Sequence, residues 1–282
     1  MIKSVQQIML GSVITNEKSA RAILAAIKSA GYEGIELNGF MIRKAPMLVR
    51  ILTKASGMPT GKGGKLDWVS IIKESGLAVS AIHEDVRRIE NQTYEVIQET
   101  TDFGTRNIVI TGMYRFDYSD IRALDDLCNR LNKVGKVLKN AEVNLLYHNH
   151  NCELRMLSTG QTAFEYLIAN TDPKYVNFEF DSYWPTEAGA DALKMMEMLG
   201  SRMKLYHIND RGSRTTGQSI TPILKSDSME LGFGNMDLVK LINKAKEVNV
   251  EAVILESHKN WVDKSPVASL KMSSDFMNKY VK

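Results

Sequence analysis

Strand-like and helix-like stretches alternate eight times along this chain of 282 residues. No other feature narrows its possible folds so far. The strand-like runs are short and apolar. They span Val5 to Leu10, Gly34 to Leu37, Ala78 to Ile82, Asn107 to Thr111, the stretch opening at Asn144, Val176 to Phe180, Met203 to Tyr206, and Val253 to Leu255. Between them apolar residues recur with a period near 3.6. Asn16 caps the first helix and Gly31 closes it; Gly76 and Gly104 stop the helices Leu66 to Glu74 and Thr93 to Phe103. Further helices cover Tyr118 to Asn140, Gln161 to Ala169, Ala190 to Leu199, Met236 to Val248 and the C-terminus. Such alternation builds parallel βα units, and eight of them close into a barrel rather than opening into a doubly wound sheet. Length alone would suggest two domains at ~150 residues each, but barrels reach ~250 residues as one domain. No linker splits the count, so a single domain over residues 1–282 is expected.

Composition removes several function classes. Net charge is only +3, whereas a nucleic-acid binder concentrates basic residues on one face. The loose cluster Arg43, Lys44, Arg50, Lys54, Lys62 and Lys65 reads as a solvated helix face. Between Asn38 and Gly64 lie a helical piece around Met47 to Ala55 and a loop, G-M-P-T-G-K-G-G. That loop has neither a Walker ending nor Rossmann spacing, so it is a connector and not a phosphate cradle. Two cysteines, Cys128 and Cys152, are too few for a disulfide framework. No apolar run approaches the ~20 residues of a membrane span, and the N-terminus lacks a signal peptide's apolar core and cleavage site. A cytoplasmic protein with no membrane or nucleic-acid partner is expected.

The chemistry collects at strand ends. His83, His148, His150, His207 and His258, all five histidines of the chain, fall at or just beyond the end of an expected strand. In Y-H-N-H, alternation puts Leu146, His148 and His150 on one face, and Glu153 follows. Asp181 ends F-E-F-D, Glu256 ends V-I-L-E, and Glu36 sits on I-E-L. In a closed barrel, the C-terminal strand ends form the active site. A carboxylate there costs desolvation unless it is paired or holds a metal. Mixed imidazole and carboxylate donors suit one divalent cation, Mn²⁺, Co²⁺, Zn²⁺ or Mg²⁺, better than a soft thiolate site would.

The segments Y-H-N-H-N-C-E, F-E-F-D-S-Y-W, K-L-Y-H-I-N-D, E-L-G-F-G-N-M-D and V-I-L-E-S-H resemble the sugar phosphate isomerase/epimerase group, the xylose isomerase-like branch of TIM barrels. The resemblance runs over roughly residues 1 to 280 and is strongest from Leu145 to Ser257. In the epimerases of that group Glu, Asp, His and Glu from strands five to eight hold one divalent metal. Carried over, Asp181, His207 and Glu256 match the last three positions. The first falls at His148, where the epimerases have Glu, and Glu153 lies close enough in sequence to restore a carboxylate. The resemblance also implies a homodimer or homotetramer.

The chemistry expected of this set is proton abstraction beside a metal-polarised carbonyl of a sugar or cyclitol. Either Glu256 or His150 is the base, with Glu153 a third candidate. Trp184 would wall the sugar face, and Glu36, His83, Arg211 and Lys259 would reach substrate hydroxyls. A metal-dependent isomerase or epimerase follows, with a lyase or dehydratase on the same scaffold as the alternative. An apurinic endonuclease-like hydrolase needs more histidines for its multi-metal cluster, and a non-catalytic sugar-binding barrel has only the substitution at His148 behind it.

Overall fold

The structure, a computed structural model, describes residues 1–43 and 63–282. Eight parallel strands close on themselves in the order β1-β10-β7-β6-β5-β4-β3-β2. They are β1 (Ile2–Gln6), β2 (Gly34–Asn38), β3 (Ala78–Glu84), β4 (Asn107–Thr111), β5 (Asn144–His148), β6 (Val176–Asp181), β7 (Met203–Ile208) and β10 (Ala252–Leu255). The remaining two, β8 (Asp210–Gly212) and β9 (Asp227–Met229), form a separate antiparallel hairpin after β7. The helices anticipated from periodicity lie between the strands. The longest, Ile121–Asn140, starts at an Asp120 cap whose side chain accepts from the Arg122 amide. The expected helix around Met47 to Ala55, most of the glycine-rich loop and most of the basic cluster lie outside the described residues. Among the described residues no helix is long and apolar enough to cross a membrane.

Most strand ends shift by one or two residues from expectation, and the first strand differs most, starting at Ile2 rather than Val5. The first strand ends at Gln6, and Gln7–Leu10 is a turn of 3-10 helix. All four residues of that turn are buried, and a fully buried apolar run carries no period by which strand and helix can be told apart.

Strand alternation sorts the side chains into two cores. Residues such as Phe178, Phe180, Tyr147 and Tyr206 face outward into the large cluster shared with the helices. A second, smaller cluster fills the barrel interior: Ala81, Val109, Leu146, Leu205, Ala252 and Ile254. Beyond it, toward the C-terminal strand ends, the interior turns polar. Two register shifts aim the polar residues. In β3, Ile35 pairs with Val79 but Leu37 pairs with Ile82, so one extra residue sits opposite Glu36. Without that bulge His83 would share the outer face with Val79; with it, Ile82 turns outward and His83 joins Ala81 inside. In β7 the shift between Phe178–Met203 and Glu179–Leu205 puts Leu205 and His207 on the same side as Glu179 and Asp181.

Candidate metal centre

Four strand ends converge. Ligand-capable atoms of His148, Asp181, His207 and Glu256, from β5, β6, β7 and the residue after β10, all lie within 4.8 Å of one another, and all four residues are buried. His207 Nδ1 is 3.0 Å from Glu256 Oε2. Asp181 is fixed by its neighbours: its Oδ1 accepts from the Tyr183 amide at 2.6 Å, and Asn149 brackets its backbone with two hydrogen bonds of 3.0 Å.

Beneath this quartet lies a deeper ring built from Glu36, His83, Glu179 and the inner edges of His148 and His207. Glu36 Oε2 is 2.6 Å from His207 Nε2, and accepts from Gln6 at 2.9 Å. Glu179 Oε2 is 2.9 Å from His148 Nδ1 and 3.2 Å from His207 Nε2. His83 Nε2 stands 3.0 Å from both carboxylates, and its Nδ1 is 2.6 Å from Thr111 Oγ1. Glu36 Oε1 and Glu179 Oε1 are buried with no hydrogen-bond partner among the described residues.

Such a concentration of buried charge must be compensated by protons or by a cation. Burial opposes a charge on His83, but Glu36 and Glu179 outweigh it and hold its pKa up at about 10. Burial likewise opposes a charge on His207, and Glu179, Glu36 and Glu256 overcome it, raising its pKa well above the ordinary value. Asp181 is pushed up to about 7 by burial, with the Glu256 charge adding to the rise and His148 opposing it. For Glu256 burial is outweighed by His258, His207 and His148, which hold it below the ordinary carboxylate range. The gap between His207 Nδ1 and Glu256 Oε2, 3.0 Å wide, is one that a proton or, with the groups drawn apart, a divalent cation could fill. Two imidazoles with two carboxylates are the borderline donor set that Zn²⁺, Mn²⁺ or Co²⁺ accept, so the residues present fit such an ion.

The other expected site residues divide by position. His150 and Trp184 meet at the mouth with ring centroids 5.4 Å apart, and Trp184 lies 6.1 Å from the His258 ring. Burial, with the neighbouring His148, pushes His150 down to about 3. Arg211 stands on the hairpin, donating to Tyr183 Oη at 3.1 Å. Lys259 is exposed and pairs with Asp227 at 3.2 Å. Glu36 and His83, expected at the substrate, instead lie in the deeper ring, where their polar atoms face one another and the ligand histidines. Glu153 is not in the quartet either. The 3-10 turn Cys152–Leu154 folds it inward, where its carboxylate accepts from Tyr147 Oη at 2.7 Å, the His150 amide at 2.9 Å and Cys152 Sγ at 3.3 Å. Tyr147 points away from His148 on the strand, so Glu153 buttresses the β5 end and lies outside the group of converging ligand atoms. The residue that reading strand ends missed is Glu179. It occupies the middle of F-E-F-D, and the same alternation that pairs His148 with His150 would have put it on the face of Asp181.

Residues 24–280 match the family described as Xylose isomerase-like TIM barrel. The chain belongs to that family. Among curated proteins, the inosose dehydratase of Mesomycoplasma hyopneumoniae strain 7448 is 24% identical over 204 residues, which cover 66% of this chain and 61% of that one. The match thus spans about three fifths of the relative's length. Two solved members of this fold superpose over nearly the whole chain. A sugar phosphate isomerase/epimerase from Parabacteroides distasonis has a TM-score of 0.77 at 19% identity, covering 99% of this chain and 95% of that one. The IOLI protein, whose crystal structure has a zinc atom bound, has a TM-score of 0.69 at 13% identity with both chains fully covered. At these identities the two structures speak for the xylose isomerase-like fold alone.

Proposed function

We propose that this chain moves a proton at the carbon beside the carbonyl of a sugar or cyclitol, with one divalent cation held by His148, Asp181, His207 and Glu256. The observation that carries the reading is the convergence of those four buried side chains, one from each of four successive barrel strands, at the C-terminal mouth. The bound cation would polarise the substrate's carbonyl and hydroxyl oxygens and so acidify the adjacent C–H.

The chain's own residues do the proton transfer. His150, beyond the β5 end, and Glu256, beyond the β10 end, approach the mouth from two sides. Both are proton acceptors at neutral pH, His150 because its imidazole is uncharged there and Glu256 because its carboxyl is ionised. Trp184, beside both His150 and His258, supplies a flat apolar wall for a sugar ring. A proton taken by one acceptor and replaced at the same carbon from the other side gives epimerisation. Returned to the neighbouring carbon, with the hydroxyl proton passed to the former carbonyl oxygen, it gives isomerisation. Delivered to a departing β-hydroxyl, it releases water and leaves a double bond. The last outcome is the second reading, supported by the inosose dehydratases among the relatives and by an imidazole at His148 where epimerases carry Glu.

Incubation of the protein with a panel of ketoses and inososes in D₂O, with Mn²⁺, Co²⁺, Zn²⁺ or Mg²⁺, separates the outcomes by NMR. Deuterium at the carbon next to the carbonyl, with a new sugar isomer, supports the isomerase or epimerase. An enone-type product supports the dehydratase. Exchange that survives complete removal of metal, or no exchange with any substrate, would overturn the proposal.

A further inference from the structure

Two of the four proposed ligands are histidines, and each has a second ring nitrogen facing the deeper ring. His148 Nδ1 is 2.9 Å from Glu179 Oε2. His207 Nε2 is 2.6 Å from Glu36 Oε2 and 3.2 Å from Glu179 Oε2. An ionised carboxylate only accepts hydrogen bonds, so a nitrogen that bonds to it carries the proton. A neutral imidazole has one N–H and one lone pair, so a proton held on the inner nitrogen leaves the lone pair on the outer one. For His207 the outer nitrogen is Nδ1, the atom facing Glu256, and there the cation takes the place of the proton that Nδ1 otherwise shares with that carboxylate; for His148 it is Nε2.

We infer that Glu179 and Glu36 are positioning residues, which fix the tautomers of His148 and His207 so that both rings offer their outer nitrogens to the cation. This rests on the metal-dependent reading above. It also accounts for the histidine at the β5 position. A carboxylate ligand there would need no tautomer control, whereas an imidazole does, and Glu179 supplies it from the paired residue of β6: His148 and Glu179 are register partners. The same inner nitrogens could instead serve a second cation, because His83, His148, Glu179 and His207 also have ligand atoms within 4.8 Å of one another. Two cations at once would require His148 and His207 both to lose their ring N–H and bridge as imidazolates. One cation with two carboxylate-anchored rings avoids that, and partners of this kind are what hold ligating histidines in most metal sites.

The experiment uses the full chain loaded with Zn²⁺ and with ¹⁵N in its histidine rings. Ring N–H signals should show the zinc-bound protein with His148 protonated at Nδ1 and His207 at Nε2. Chelator competition should give one zinc per chain, bound about 10–100-fold more weakly in Glu179→Gln and Glu36→Gln. His148 should lose its single tautomer signal in Glu179→Gln. Should either variant fail to fold, the wild-type ring spectrum decides alone. Wild-type protein that binds zinc with the opposite tautomers, holds two zinc ions, or tolerates both substitutions without loss of affinity overturns this inference and leaves the function standing. Wild-type protein that binds no divalent metal overturns both.

Discussion

Glu256→Gln keeps the side chain's shape and removes its charge, so both its proposed duties, metal ligand and proton acceptor, should fail together. Turnover should be nearly abolished and zinc affinity reduced, with the far-ultraviolet circular dichroism unchanged. His150→Gln separates the two duties: turnover should fall by ~10²–10⁴-fold, the usual size of a general-base contribution, while metal content holds. Glu153→Gln should behave differently from both. An amide there places N–H against the donors of His150, Cys152 or Tyr147, and a buried group left unsatisfied costs about 1–3 kcal/mol. The thermal midpoint should drop, with turnover per folded molecule unaffected; a loss of turnover without loss of stability would return Glu153 to the chemistry. His148, Asp181, His207 and Glu256 were legible in the sequence because each ends an apolar strand. The role of Glu153 was not, since it depends on a short turn that folds a nearby carboxylate back under its own strand. Glu179 lies between the two phenylalanines of an expected strand, where a charge reads as an interruption and not as a site.

At the scale of elements, the β8–β9 hairpin is the part that periodicity could not foresee. Residues 213–226 have neither a strand nor a helix period, and most are exposed. What anchors the hairpin is Asp210. Its Oδ2 accepts from the amides of Gly232 and Gly234 at 2.9 and 3.0 Å, and its Oδ1 from Met236 at 3.2 Å. The E-L-G-F-G-N-M-D segment is therefore a loop wrapped around a carboxylate. A methyl group on Gly234 would collide with that carboxylate and with the Arg211 carbonyl. Asp210→Ala should strand four amides, those of Arg211, Gly232, Gly234 and Met236, and lower the thermal midpoint by about 2–4 °C for each kcal/mol lost. Because Arg211 sits on the same arm, the apparent KM should rise in this variant. The bulge in β3 is equally invisible to pattern reading: two consecutive interior residues, Ser80 and Ala81, break the alternation that identifies a strand, and only pairing with β2 shows which way His83 turns.

For the whole molecule, eightfold alternation was enough to anticipate the closed barrel, since each unit buries its apolar strand against its own helix. The polar interior was harder to read, because its residues come from six strands and no local pattern joins them. Their combined charge sets a pH dependence. The metal-free protein should hold His83 charged; its pKa rises from 6.5 to about 10 in the fold. A raised pKa contributes stability that is complete below pH 6.5 and lost as pH climbs through about 10. The thermal midpoint of chelator-treated protein should therefore decline across that range. Zinc binding should run the opposite way and tighten as pH rises, because the cation displaces a proton from His207. Titration calorimetry in buffers of different ionisation heat would count the protons released, and zinc affinity independent of pH would contradict the arrangement.

The six apolar side chains packed below the deeper ring, Ala81, Val109, Leu146, Leu205, Ala252 and Ile254, turn the barrel into a cul-de-sac. On the proposed function, cation, substrate and product would all enter and leave at the C-terminal mouth above the quartet. A sugar resting over the quartet then blocks the ion's exit. Loading should be sequential, metal first and sugar second, and unloading should reverse it. In a stopped-flow chelation assay, saturating substrate analogue should slow metal loss in proportion to the fraction of sites it covers. Metal loss at an unchanged rate would mean that the vessel has a second opening.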